Sequence, residues 1–100
     1  MAKEQSSVKQ RERTHLREPK KYKVILHNDD FTTMDFVTFI LVDVFQKTYD
    51  EAEALMMQVH RKGKAVAGIY SYDIALSKID KATEQARAHD FPLRLTYEVE

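Results

Sequence analysis

Between Tyr22 and Val99 the spacing of apolar residues switches between two and three-to-four, and this exchange of period admits few architectures. Tyr22, Val24 and Leu26 alternate with Lys23, Ile25 and His27, the period of a strand. Asn28-Asp29-Asp30 should end it, because short polar side chains that bond nearby backbone compete with ladder pairing. Thr32 is then placed to cap a helix, with Asp35 reaching back to the cap's own N–H and suiting the helix dipole. Phe36, Val37, Phe39, Ile40, Leu41, Val42, Val44 and Phe45 are apolar on more than one face, which predicts a helix sandwiched at the centre of the core.

A second helix is expected from Asp50-Glu51-Ala52-Glu53, with Ala52, Leu55, Met56 and Val59 on one face. It should end near Arg61 or Lys62, where Gly63 tolerates a left-handed cap. Ala65 to Tyr70 reads as a short buried strand. Ser71 can cap a third helix whose stripe is Ala75, Ile79, Ala82 and Ala86, closed by Asp90 and Pro92. In the last strand Leu93, Leu95, Tyr97 and Val99 face one way and Arg94, Thr96 and Glu98 the other. The order β-α-α-β-α-β predicts a single small α+β domain, three helices packed on a three-stranded antiparallel sheet.

The 100 residues carry no net formal charge, but the total conceals a division. Residues 1–23 hold eight basic and three acidic side chains, a balance of +5, so the rest carries −5. Only five of those 23 residues are apolar, too few to offset the entropy of ordering them. Residues 1–21 are expected to be a flexible extension and 22–100 the folded domain. The extension lacks interleaved aromatic residues, so it is a weak candidate for nucleic acid. The chain has no cysteine, which excludes disulfides and thiolate chemistry and suggests a cytoplasmic setting. Neither a membrane span nor a secretory signal is visible.

Glycine-rich phosphate loops are absent, since Gly63 and Gly68 are the only glycines. His27, Asp29, Asp30 and His60 are metal-ligand types whose spacing matches no zinc motif. Asp29 or Asp30 with His60 could form a hydrolytic pair, although adjacent carboxylates between a strand and a helix more often make a turn and a cap. The pattern favours an acidic recess beside an apolar one. Met34 and Val37 share a helical face, and Met56, Val59 and His60 are neighbours on another helix.

The run from Tyr22 through His27-Asn28-Asp29-Asp30-Phe31-Thr32-Thr33-Met34-Asp35-Phe36-Val37 resembles the opening signature of ClpS, the bacterial adaptor family of the ClpAP protease. Leu55 to Ala65, with Val59-His60-Arg61-Lys62-Gly63-Lys64-Ala65, is similar to that family's VHxxGKA helix end, and Phe91-Pro92-Leu93 to its His-Pro-Leu. Thr33 stands where the family often has proline and Asp35 where it has Glu. The resemblance implies a non-enzymatic bacterial cytoplasmic adaptor, without cofactor or metal. It would recognise N-degron substrates beginning with Leu, Phe, Tyr or Trp and deliver them to the N-terminal domain of a ClpA-type unfoldase. It further implies that Asn28, Asp29 and His60 hold the α-amino group and that Asp30 shapes the site and meets the peptide backbone. Thr32, Met34, Val37, Met56, Val59 and Leu93 would line the side-chain pocket, with Met34 excluding Ile and Val. Phe31, Asp73 and Lys78 would meet the unfoldase, which the N-terminal extension would engage during handover.

Overall fold

The computed structural model describes residues 19–100. The extension expected over 1–21 therefore lies outside the described residues except for Pro19, Lys20 and Lys21, which are exposed and irregular. The elements are β1 (Tyr22–His27), α1 (Met34–Asp43), α2 (Tyr49–Lys62), β2 (Lys64–Tyr70), α3 (Tyr72–Ala88) and β3 (Arg94–Val99). The expected order and α+β class are those observed. The sheet order is β2-β1-β3, with β1 antiparallel to both neighbours.

One face of the sheet carries the core. Val24 and Leu26 of β1, Ala65 and Ala67 of β2 and Leu95 of β3 join Ile40, Leu41, Val44 and Phe45 near and beyond the end of α1 in one buried cluster. Ala75, Ala82 and Ala86 are fully buried on α3, small residues that let the helix backbone lie close to the strands. The pairing slips between Val24–Gly68 and Ile25–Val66, so Ala67 is the extra residue of a bulge. That slip shifts the alternation by one and turns Tyr70 toward the helices, where its ring meets Phe45.

Four local expectations need correction. α1 is capped by Thr33, whose hydroxyl accepts from the Phe36 N–H at 3.1 Å; Thr32 is engaged by Asp29, leaving its successor to cap. α1 is not sandwiched, because Phe39 and Val42 of its outer stripe lie open to solvent. β2 is covered on one face only, with Val66 and Ile69 exposed, because all the helices pack against the other. Ser71 occupies the N-cap position of α3 but its hydroxyl makes no capping bond. α2, by contrast, begins with a complete capping box between Thr48 and Glu51 and ends on Gly63 at φ 92°.

Candidate functional site

The end of β1 is fastened to the end of α2. The Asn28 N–H donates to the Gly63 carbonyl at 2.9 Å, and the Gly63 N–H donates to Val59 at 2.9 Å. These bonds set the Asn28-Asp29-Asp30 turn beside the last turn of α2, which carries His60 three residues before Gly63. His60, Asn28 and Asp30 are exposed there, available to a ligand from solvent.

Asp29 organises the turn. Its Oδ1 accepts the N–H groups of Phe31 at 2.8 Å and Thr32 at 2.7 Å, and its Oδ2 accepts the Thr32 hydroxyl at 2.7 Å. Partial burial pushes the carboxyl up. The bonds from Thr32 and Phe31, with the Arg87 guanidinium, outweigh that push and hold it below its ordinary value. The result is a fixed anion beside the entry to α1, whose first residue, Met34, is 39% exposed.

Behind this turn the apolar residues converge. Val37 of α1, Met56 and Val59 of α2 and Leu93 before β3 all belong to the one core cluster. Each is buried, whereas Thr32 is half-buried and Met34 stands exposed at the start of α1. The segment leading to Leu93 closes the side: the Phe91 ring packs on Phe36 at 5.0 Å, and Arg87 donates to the Phe91 carbonyl at 2.6 Å. A hollow of about 350 Å³ on the outer side of α1 and α2 shares Met56 with this region and is rimmed by Asp35 and Glu53. Among the described residues no group of three or more His, Asp or Glu could hold a metal ion.

Comparison with known proteins places this arrangement. The family model described as ATP-dependent Clp protease adaptor protein ClpS matches residues 17–96. The chain belongs to the ClpS family. A ClpS adapter of Acetivibrio thermocellus is 50% identical over 97 residues, covering 97% of this chain and 98% of its own length. That of Helicobacter hepaticus is 52% identical over 85 residues, covering 85% and 86%. Among solved structures, that of Agrobacterium tumefaciens ClpS2 bound to L-phenylalaninamide is similar with a TM-score of 0.80 and 43% identity, covering 83% of this chain and all of that one.

As a ClpS protein the chain is an adaptor of the Clp protease and not an enzyme. No helix among its described residues is long and apolar enough to cross a membrane. The residues that the ClpS resemblance linked to the unfoldase do not lie together. Phe31, 73% exposed, follows the His27 end of β1, whereas Asp73 opens α3 beyond Tyr70, which pairs with Tyr22 at the opposite end. Lys78 turns inward, donating to the Val44 carbonyl and to Gln46, each at 2.7 Å, with its ammonium over the Phe45 and Tyr70 rings. Burial, then nearby Lys81, lowers its pKa. Arg87 and Phe91 were not singled out in sequence as members of the site. Arg87 lies 58 positions from Asp29, and no local pattern reports an electrostatic influence over that span.

Proposed function

We propose that this ClpS protein recognises N-degron substrates by their free α-amino group and first side chain, and hands them to the N-terminal domain of a ClpA-type unfoldase in the cytoplasm. The observation that carries the reading is the fastening of Asn28 to Gly63, which sets a fixed carboxylate and an exposed imidazole beside a cluster of apolar side chains. The ligand of the related ClpS2, L-phenylalaninamide, has that pair of features, a free amine next to an aromatic side chain.

The energetics suit a two-part grip. An α-amino group with a pKa near 8 is mostly an ammonium at neutral pH and presents three donors. Asn28, Asp29 and His60 offer acceptors, each charge-assisted bond being worth about 1.5–3 kcal/mol. Asp29 retains acceptor capacity after its three internal bonds, because a carboxylate has about four lone-pair sites. Burying a Leu or Phe side chain against Val37, Met56, Val59 and Leu93 adds about 1.5–3 kcal/mol. Once the cost of association is deducted, neither part alone leaves the ~8 kcal/mol of micromolar binding, but both together can when the site is preformed. Thr32 and Met34 form the rim, Met34 excluding Ile and Val, and Asp30 meets the first backbone units of the peptide. Phe31, Asp73 and Lys78 are the proposed unfoldase contacts; since they are dispersed, docking would draw on more than one edge of the domain. Residues 22–100 form the adaptor domain, and residues 1–21 engage the unfoldase at handover.

Calorimetry with peptides beginning in Leu or Phe should show saturable binding, and N-acetylated copies should bind about 100-fold more weakly, a difference of about 2.7 kcal/mol. Equal affinity of free and acetylated peptides would overturn the reading. Affinity should also fall above pH ~8, as the ligand amine loses its proton.

A further inference from the structure

The sheet face turned away from the helices takes no part in the site above. Its floor is apolar: Ile25 lies at the centre, 6% exposed, with Val66 and Ile69 beside it at 37% and 45%. The register places Lys23, Lys64 and Arg94 around this floor, one from each strand. Lys62, at the end of α2, lines the same hollow of about 340 Å³. Among the residues that line the hollow, the one carboxylate is that of Glu98. The concentration runs counter to the rest of the domain, since residues 24–100 carry a net −5.

Little of this charge is neutralised from within. Lys23 lies 3.8 Å from Glu98, while Lys62, Lys64 and Arg94 make no ion pair among the described residues. Arg94 instead approaches His27 Nδ1 at 3.5 Å, and His27 Nε2 bonds the Thr96 hydroxyl at 2.7 Å.

We propose that this face is a second docking surface, taking an extended acidic polypeptide segment with alternating apolar residues. A strand-like segment places its side chains on opposite sides in turn. Laid obliquely over the face, its apolar positions meet Ile25, Val66 and Ile69, and its carboxylates reach Lys62, Lys64 and Arg94 at the edges. The chain's own residues 1–21, at +4, are repelled from this surface. Two copies meeting face to face would likewise oppose like charges. Single-stranded nucleic acid finds no aromatic platform among Ile25, Val66 and Ile69 on which to stack its bases. Three strands about 5 Å apart and roughly 17 Å long give a patch of a few hundred Å², the scale of a transient contact.

The test uses the full chain and an N-acetylated peptide of alternating Glu and Val, which cannot use an α-amino site. Fluorescence anisotropy should show saturable binding that weakens as salt rises. The pair Lys64→Glu and Arg94→Glu should weaken it about tenfold, and Lys64→Gln with Arg94→Gln, which is gentler on folding, about threefold. Binding of a Phe-initiated peptide should stay unchanged in both, so that failure of this surface and failure of the N-degron reading are told apart. The His27 imidazole, flanked by Lys64 and Arg94 on the neighbouring strands, should shift to higher pKa in the peptide complex by NMR titration. Equal binding of an alternating Lys–Val peptide, or full binding of the acidic peptide by the Gln pair, would overturn the proposal. So would binding confined to oligonucleotide, or self-association of the chain in place of peptide capture.

Discussion

Asp29 holds three donors at once, and that one carboxylate fixes where Thr32 can be. Removing it frees the Phe31 and Thr32 N–H groups and the Thr32 hydroxyl. Asp29→Ala should therefore cost about 1–2 kcal/mol in denaturant unfolding and at least about tenfold in affinity for a Phe-initiated peptide. The folded pKa is depressed, so the stability it contributes is complete above its ordinary 3.8 and is lost as pH falls through the lower folded value. Acid unfolding of the variant should be correspondingly less steep in that window. His60 differs, because its side chain is exposed and makes no hydrogen bond or ion pair among the described residues. His60→Ala should weaken the same peptide about tenfold or more while moving the melting temperature by less than about 2 °C. A melting shift well beyond that would give His60 a structural role instead.

Element ends carry the next level of specification, and there neighbouring residues compete for one task. Thr32 and Thr33 are chemically equal candidates for the α1 cap, and local sequence points to the first. Asp29 decides between them by claiming Thr32, which leaves the Thr33 hydroxyl to accept from Phe36. Thr33→Ala should consequently cost about 1 kcal/mol of stability. Gly63 terminates α2 at φ 92°, with nothing within 4 Å of where a Cβ would stand. Gly63→Ala should then cost about 1–2 kcal/mol from backbone strain alone, with no steric term. Because Gly63 also receives the Asn28 N–H, the variant should lose peptide affinity too. A loss confined to stability, with affinity intact, would show that the strand–helix fastening is not what presents the turn.

Across the whole molecule the sheet divides a helix-covered core from an open basic face, and His27 senses the second. Burial, then Arg94 and Lys64, lowers its pKa from 6.5. The unfolded chain therefore takes up a proton that the folded one resists, and stability should fall as pH is lowered through 6.5 toward the folded value. Melting curves between about pH 7.5 and 5.5 should show that decline, and His27→Gln should flatten it. An unchanged slope in the variant would assign the decline to other groups. Order and type of elements were legible in the chain, because the apolar spacing of Tyr22–Leu26, Ala52–Val59 and Leu93–Val99 reports local backbone geometry directly. The acidic turn and the Met34–Val37 and Met56–Val59–His60 faces were legible as a pattern, but the role of each candidate site residue could be assigned only through likeness to a family signature. What remained hidden was nonlocal: that Phe39, Val42, Val66 and Ile69 would stay uncovered, that the Ala67 bulge would turn Tyr70 inward, and that Arg87 would reach the neighbourhood of Asp29. Sequence determines periodicity, since each side chain's direction follows from its own backbone. Which of those faces finds a partner is decided when the helices choose one side of the sheet, an outcome written in contacts between residues far apart in the chain.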